Sequence, residues 1–128
     1  MKQYLIDTNI LDAFPDDERC VVDKMKSLDK IKISCISIGE LYYGVMKSKQ
    51  KTKNLNRLNH LLSYYEILYI GLKTAFHYGE IKAKLKSIGK PIPENDIWIA
   101  AIAKEHDMIV ATRDKHLLNL DFIQTESW

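Results

Sequence analysis

Short apolar runs alternate along this chain with longer segments in which apolar residues recur at the period of a helix. The runs cover residues 3–6, 31–36, 67–70 and 108–111, with a weaker fifth at 122–124. Strands that alternate with helices are typical of βα units, in which the strands pair in parallel. The sequence therefore predicts an α/β fold with a mainly parallel sheet of four to five strands.

Six helices are predicted between and after these runs, from apolar residues spaced three or four positions apart. Ser37 would cap the third helix, and Glu40 would complete an S-x-x-E capping box in its first turn. The fifth helix would end at Gly89, and the sixth would start near Glu94. The residues predicted to face inward are, helix by helix, Ile10, Leu11 and Phe14; Val21, Val22, Met25 and Leu28; Ile38, Leu41, Tyr42 and Val45; Leu55, Leu58, Leu61, Leu62 and Tyr65; Ala75, Tyr78, Ile81, Leu85 and Ile88; and Ile97, Ala100 and Ala101.

The chain has 128 residues, and we predict a single domain over residues 1–128 whose core needs no disulfide or structural metal. Cys20 and Cys35 lack the spacing of a metal site, and Cys35 lies in an apolar run that would bury it. Asp7 and Asn9 interrupt the first apolar stretch too early for a signal peptide, and no apolar run is long enough to span a membrane. These features favour a reducing cytoplasm.

Basic residues crowd two stretches, although the formal net charge is only +2. Solvated helix faces explain such stretches more often than nucleic-acid contacts do. His60, His77, His106 and His116 are scattered, and we interpret them as surface or packed residues. Aromatic residues could stack on bases, but at helical spacing core or dimer-interface positions are favoured, the latter for Trp98. The basic stretches are Lys47, Lys49, Lys51, Lys53 and Arg57, and Lys73, Lys82, Lys84, Lys86 and Lys90; the aromatic residues are Tyr42, Tyr43, Tyr64, Tyr65 and Trp98.

Four acidic residues follow predicted strands or lie in the first turns of predicted helices, namely Asp7, Glu40, Asp96 and Asp114. In open parallel sheets these positions meet beyond the carboxyl ends of the strands, where ligands gather. Carboxylates that converge repel one another unless a cation lies between them, and Mg²⁺ or Mn²⁺ suits such a set of oxygen ligands. The sequence therefore predicts a divalent metal site at this edge of the sheet.

Each acid also has an ordinary structural explanation. Glu40 could simply close its capping box. Asp96 and Glu94 could interact with the dipole at the start of their helix, and Asp114 could be a cap or turn residue. Asp7 is harder to explain in this way, because a carboxylate at the end of an apolar strand is costly to bury without a partner.

Four motifs along the chain resemble those of PIN domains, especially of VapC-type toxins. Residues 4–11, YLIDTNIL, resemble the opening of the family, and residues 36–44, ISIGELYYG, its second motif. Residues 89–96, GKPIPEND, followed by IAA at 99–101, resemble the third motif. Residues 112–114, TRD, resemble the fourth. The four motifs occur in order over nearly the whole chain, with spacing that suits the family.

The resemblance implies a PIN fold, with helices on both faces of a parallel sheet, and RNA cleavage that depends on Mg²⁺ or Mn²⁺. It carries the catalytic and metal-ligand roles to Asp7, Glu40 and Asp96, and to Asp114 as the family's most variable acid. It further implies a metal-activated water as the nucleophile, products with 5′-phosphate and 3′-hydroxyl ends, a small antitoxin as protein partner, and a homodimer. The supporting residues that it implies are Asn9 and Thr112. With the RNA substrate in view, contacts are predicted for Lys47, Lys49, Lys51 and Arg113, although Arg113 could equally pair with a neighbouring acid.

Two other functions fit parts of the sequence. A haloacid-dehalogenase-like phosphatase also places a nucleophilic aspartate, here Asp7, after its first strand. Asn9 stands where that family has its second acid, and the chain is short for that fold. The second alternative is a PIN fold that only binds RNA or a protein, against which the intact acids argue. Nothing in the sequence identifies which RNA would be cleaved.

Overall fold

The computed structural model describes residues 2–13 and 30–128 of the chain. The elements in this part are β1 (Tyr4–Ile6), α1 (Thr8–Ala13), β2 (Ile31–Ser34), α2 (Cys35–Met46), α3 (Lys51–Leu62), β3 (Glu66–Leu68), α4 (Leu72–Ser87), α5 (Glu94–His106), β4 (Ile109–Thr112), α6 (Lys115–Leu118) and β5 (Gln124–Ser127). The predicted second helix lies outside the described residues, as do Phe14 and Cys20.

The five strands form one sheet in the order β3-β2-β1-β4-β5, and every neighbouring pair is parallel. In the register, Ile6 lies opposite Ile33 of β2 on one side and opposite Ala111 of β4 on the other. The predicted α/β fold with a parallel sheet is thereby confirmed. Because all five strands run in one direction, Asp7 after β1 and Thr112 at the end of β4 lie at the same edge of the sheet.

The hydrophobic core is divided into two clusters, one on each face of the sheet. Tyr4 and Ile6 belong to one cluster and Leu5 to the other, as the two-residue alternation of a strand requires. Helices α1 to α3 contribute to the first cluster, and α4 to α6 to the second. The result is a three-layer arrangement. None of the helices in the described ranges is both long enough and apolar enough to cross a membrane.

The start of α2 differs from the prediction. The strand ends at Ser34 rather than at residue 36, and Ser34 is the helix cap, with its Oγ accepting a hydrogen bond of 3.1 Å from the Ser37 N–H. The predicted cap at Ser37 is therefore wrong, because an identical residue three positions earlier supplies the same chemistry directly at the strand end. Cys35, predicted to be buried, is partly exposed at the first position of the helix.

The buried face of α4 also differs from the prediction at both ends. Ala75 and Ile88 are exposed, and the fully buried residue at the start of the stripe is Thr74. Its hydroxyl accepts a hydrogen bond from the Gly71 N–H and donates one to Glu105, so burying this polar group has little cost. An apolar period cannot identify such a position.

The end of α4 follows the prediction for Gly89. This glycine has a φ of +67°, and the Lys90 N–H bonds to the Leu85 carbonyl, as in a Schellman motif. The last two strands are displaced from their predicted positions. Strand β4 begins one residue later because the Met108 N–H bonds to the Ala103 carbonyl at the end of α5. Strand β5 begins only at Gln124, because Phe122 and Ile123 pack against the core without joining the sheet.

Candidate active site

The carboxyl edge of the sheet is where the structure places the predicted acids. Asp7 follows β1 directly, Asp96 lies in the first turn of α5, and Asp114 caps α6. Glu40 is the sixth residue of α2, so it lies beyond the first turn in which it was predicted. Asp7 and Asp96 are buried, with only 4% and 8% of their surface exposed. Two buried carboxylates at one edge require strong compensation from their surroundings.

Asp7 is held at both of its carboxylate oxygens. The backbone N–H of Thr8 donates to Oδ1 over 2.8 Å, and the hydroxyl of Thr112 donates to Oδ2 over 2.7 Å. The main-chain carbonyl of Asp7 accepts from the N–H groups of Ile10 and Leu11 at the start of α1. The carboxylate is therefore fixed in position at the end of the central strand.

The predicted supporting residues Asn9 and Thr112 connect Asp7 to the loop that carries Asp114. The Thr112 hydroxyl accepts the Asp114 N–H at 2.9 Å and lies 3.5 Å from Asn9 Nδ2. Asn9 Oδ1 accepts the Arg113 N–H at 3.1 Å. These contacts fix the backbone between β4 and α6 relative to α1, and with it the positions of two of the acids.

Glu40 has a different structural role from the one that its capping-box pattern suggests. Since Ser34 caps α2, Glu40 does not close a box with Ser37. Its Oε1 instead accepts a hydrogen bond of 3.1 Å from the Thr8 hydroxyl, next to Asp7 in the chain. The capping explanation for Glu40 is therefore wrong, and its side chain is directed towards the residues that follow β1.

Asp96 is the least compensated acid of the group. Within the described ranges, its buried Oδ2 has no hydrogen-bond partner. Burial is the main cause that raises the pKa of Asp96 from 3.8 to about 7, followed by the neighbouring Asp114 carboxylate, which favours the protonated form. The negative charges of Asp7 and Glu40 raise this pKa further, so all four predicted acids interact electrostatically.

Glu94, the other acid in the first turn of α5, lies in a separate group of contacts. It forms an ion pair of 2.6 Å with Lys82 and accepts a hydrogen bond from the Tyr78 hydroxyl, both on α4. Trp98 stacks on Tyr78 with ring centroids 4.0 Å apart. Glu94 therefore links α5 to α4 through Lys82 and Tyr78, whereas Asp96 is buried among the other acids.

Asp114 is a helix cap, as one of its two explanations required, and it also lies at the acidic edge. Its Oδ1 accepts the His116 N–H at 2.8 Å and lies 3.1 Å from His116 Nδ1. The same ring nitrogen is 3.8 Å from Asp96 Oδ2. His116 is an exposed surface residue, as predicted, but the sequence did not indicate that it would lie beside two of the acids. The signal available in the sequence was its position two residues after Asp114, at the start of a helix.

The side chains at this edge fit a divalent cation. Asp96, Asp114 and His116 each offer one ligand atom, and these atoms lie within 4.8 Å of one another. The orphaned oxygen of Asp96 and the mutual repulsion of the acids are what a bound cation would relieve. Oxygen ligands are those that Mg²⁺ and Mn²⁺ prefer.

The residues predicted to contact RNA lie on two sides of the acidic edge. Lys47, Lys49 and Lys51 are exposed where α2 gives way to α3, and Lys47 Nζ lies 4.8 Å from the centre of the Tyr43 ring. Lys47 also lines a groove between these helices that extends to Thr8 and Glu40. Arg113 Nε donates to the Trp128 carbonyl over 2.7 Å, a contact that the sequence did not suggest, and its predicted RNA contact stays a prediction.

Two of the tyrosines in the second motif and α3 region are exposed rather than packed. Tyr43 and Tyr64 are 67% and 69% exposed, and both line the same groove. Tyr42 and Tyr65, by contrast, pack against the core. The core positions expected at helical spacing are therefore confirmed for Tyr42 and Tyr65, and a dimer-interface position for Tyr43 and Tyr64 stays a prediction.

A parallel sheet with acids from four segments at its carboxyl edge is the arrangement of a PIN domain, and the PIN domain family model matches residues 4–123. The Ribonuclease VapC2 of Rickettsia felis is 34% identical over 98% of this chain and 97% of its own length. The crystal structure of VapBC2 from that organism, bound to a DNA fragment from its promoter, superposes with a TM-score of 0.91 at 32% identity, over 98% of both chains. The tRNA(fMet)-specific endonuclease VapC of Shigella flexneri is 28% identical over 100% of this chain and 99% of its own length. This chain therefore belongs to the PIN domain family and, within it, to the VapC proteins. Membership argues against the haloacid-dehalogenase-like alternative.

Proposed function

We propose that this chain is a metal-dependent endoribonuclease, the toxin of a VapBC-type toxin–antitoxin pair, with Mg²⁺ or Mn²⁺ as its cofactor. The observation that carries the proposal is the buried Asp96 oxygen that lacks a hydrogen-bond partner in the described ranges, surrounded by three other acids. In a fold that only bound RNA, a buried cluster of mutually repelling carboxylates would have no use. Such a cluster lowers the stability of the folded protein, and its negative charge repels the phosphates of RNA.

The metal would be held by Asp7, Glu40, Asp96 and Asp114. A divalent ion held there would lower the pKa of a bound water and supply positive charge to offset the negative charge that develops on the phosphate oxygens. Asp7 contributes orientation, because both of its oxygens are fixed by Thr8 and Thr112. Asn9 acts through Thr112 and the Arg113 backbone, as a positioning residue.

The RNA backbone would follow the basic residues beside the acids. Lys47, Lys49 and Lys51 lie on the α2–α3 side of the edge, where their positive charge offsets the repulsion between RNA and the carboxylates. Arg113 lies beside Asp114, and its guanidinium, whose Nε donates to the Trp128 carbonyl, would place positive charge beside the phosphate. Such contacts fix the strand without reading its sequence.

The proposed protein partners are an antitoxin and a second copy of the chain. The relative from Rickettsia felis was solved as a VapBC2 assembly on DNA, and a small antitoxin is proposed here by analogy. A homodimer would need apolar surface, and the start of α4 offers it, since Leu72 and Phe76 are 90% and 66% exposed. Analytical ultracentrifugation of Leu72→Ser and Phe76→Ser variants would test this surface.

The test of catalysis is cleavage of a panel of RNAs, including an initiator tRNA, by purified antitoxin-free protein with Mn²⁺. The same RNAs should be incubated with the Asp7→Asn variant, which keeps the hydrogen bond at Oδ1 and the size of the side chain. We expect cleavage by the unaltered protein and none by the variant, with both folded by circular dichroism. An inert protein that binds RNA as tightly as its variant would instead establish the non-catalytic alternative.

A further inference from the structure

His116 lies against the acidic edge although the sequence gives it no motif position. Its Nδ1 is 3.1 Å from Asp114 Oδ1 and 3.8 Å from Asp96 Oδ2. The ring is placed by the backbone, because the His116 N–H is bonded to Asp114 and the next residue, Leu117, is fully buried. The side chain is 56% exposed, so that water or a phosphate could approach the same point from solvent.

A simple ion pair with Asp114 explains only one of these two distances. Asp96 is more than nine-tenths buried, and its Oδ2 has no hydrogen-bond partner among the described residues, yet this oxygen faces the imidazole nitrogen. At 3.8 Å it is too far for a hydrogen bond. The pair therefore leaves the most costly atom of the site unsatisfied, and a ligand placed between the three groups would satisfy it.

The distances between the three ligand atoms suit one octahedral ion. Ligands at about 2.1 Å from such an ion are about 3.0 Å apart when adjacent and about 4.2 Å apart when opposite. The 3.1 Å separation from His116 Nδ1 matches adjacent ligands, and the 3.8 Å separation is about 0.4 Å short of opposite ligands, while all three atoms lie within 4.8 Å of one another. Little rearrangement is needed for the imidazole to bind the same ion as the two carboxylates.

We propose that His116 Nδ1 is a ligand of the divalent ion held by Asp96 and Asp114, and that it makes the site prefer Mn²⁺ to Mg²⁺. This inference rests on the proposed metal-dependent function and deepens it. Both ions suit carboxylate oxygens, but Mn²⁺ is a transition-metal ion and can also bind an imidazole nitrogen, whereas Mg²⁺ is held by oxygen ligands and retains its waters. A site of carboxylates without the histidine would discriminate less between the two ions.

The experiment measures metal binding and not cleavage. Kd values for Mn²⁺ and Mg²⁺ are determined by calorimetry, and the Mn²⁺-loaded protein is examined by electron spin-echo envelope modulation, which detects a directly bound ¹⁴N nucleus. The variants are His116→Asn, His116→Asp and Asp96→Asn. The matched control is His77→Asn, since His77 Nδ1 is 3.0 Å from Glu80 Oε1 but lies on α4, away from the acidic edge.

We expect a ¹⁴N signal that His116→Asn abolishes and His77→Asn leaves intact. His116→Asn should weaken Mn²⁺ binding by about tenfold or more and Mg²⁺ binding much less. His116→Asp should shift the preference towards Mg²⁺. If Asp96→Asn removes binding while His116→Asn changes neither the Mn²⁺ affinity nor the ¹⁴N signal, the histidine is no ligand and the proposed function stands. If the unaltered protein binds neither ion, both proposals fail.

Discussion

Thr112 donates its hydroxyl hydrogen to Asp7 Oδ2 over 2.7 Å, a bond that joins the end of β4 to the end of the neighbouring central strand β1. The same hydroxyl oxygen accepts the Asp114 N–H, so one fully buried side chain positions two of the acids. The order of the strands makes this contact possible, because β1 and β4 are neighbours in the sheet although they are far apart in the sequence.

Replacing Thr112 with valine should therefore destabilise the protein and disturb the site together. The variant leaves Asp7 Oδ2 without this donor and the Asp114 N–H without its acceptor, and we expect a decrease of about 1–3 kcal/mol in the free energy of unfolding. Urea denaturation measures this. Thr112→Ser keeps the hydroxyl and should lower the free energy of unfolding by only about 1 kcal/mol, the cost of removing a buried methyl group. A Thr112→Val variant as stable as the unaltered protein would show that the hydroxyl hydrogen bonds are unimportant.

The metal-free protein should lose stability as the pH rises towards neutrality. The pKa of Asp96 in the folded protein, about 7, lies above its ordinary value of 3.8. The contribution of Asp96 to the free energy of unfolding is therefore fully present below about pH 4 and is lost as the pH rises through about 7. The Asp96→Asn variant cannot ionise at this position. We expect it to gain stability relative to the unaltered protein between about pH 5 and pH 8, measured by urea denaturation in a chelator. If the difference in free energy of unfolding between the two proteins does not change with pH, the pKa of Asp96 is not raised in the folded protein.

Glu40 and Ser34 should separate stability from activity on the same helix. Glu40 is exposed and does not cap α2, so Glu40→Gln should change the free energy of unfolding by no more than about 0.5 kcal/mol. It should lower the rate of RNA cleavage by about 100-fold or more, as removal of one electrostatic group at a reacting centre does. Ser34→Ala should instead cost about 1 kcal/mol of stability and leave the cleavage rate of the folded protein within a few-fold. If Glu40→Gln instead lowers the free energy of unfolding and leaves the cleavage rate unchanged, Glu40 has a capping role and not a catalytic one.

The basic residues after α2 should bind RNA through charge. A variant with Lys47, Lys49 and Lys51 changed to glutamine should bind RNA more weakly and with a smaller salt dependence. The slope of log affinity against log salt should fall by about 0.7 for each phosphate of a single strand that the variant no longer neutralises. The control is a triple glutamine variant at exposed lysines of the other stretch, Lys73, Lys86 and Lys90. If both triple variants reduce the slope equally, RNA binding is not specific to the surface after α2.

The sequence predicted the sheet and its acidic edge because both depend on local signals. Apolar strands alternate with helices, and a parallel sheet necessarily brings the residues that follow its strands to one edge. Asp7 and Asp96 could be placed there without knowing any contact. The resemblance to PIN domains rested on the same residues, and the family match covers them.

The remaining features of the fold and of the site depend on tertiary contacts or on choices between equivalent residues. Ser34 and Ser37 both satisfy the rules for a helix cap, and only the strand end decides between them. Thr74 is buried through a hydrogen bond to a residue 31 positions away, which no helical period reveals. His116 lies beside Asp96 only because α6 and α5 are brought together in the fold, a contact that the sequence does not reveal.

The most direct test of the central claim is the cleavage of one RNA substrate by the chelator-treated protein as Mn²⁺ is added back, at saturating protein and near-neutral pH. If the acidic edge is a metal-dependent active site, no RNA is cleaved before Mn²⁺ is added, and cleavage recovers as the Mn²⁺ concentration increases. A folded Asp96→Asn variant does not recover cleavage at any Mn²⁺ concentration. Cleavage that survives the chelator, or an Asp96→Asn variant that recovers fully with Mn²⁺, would contradict it.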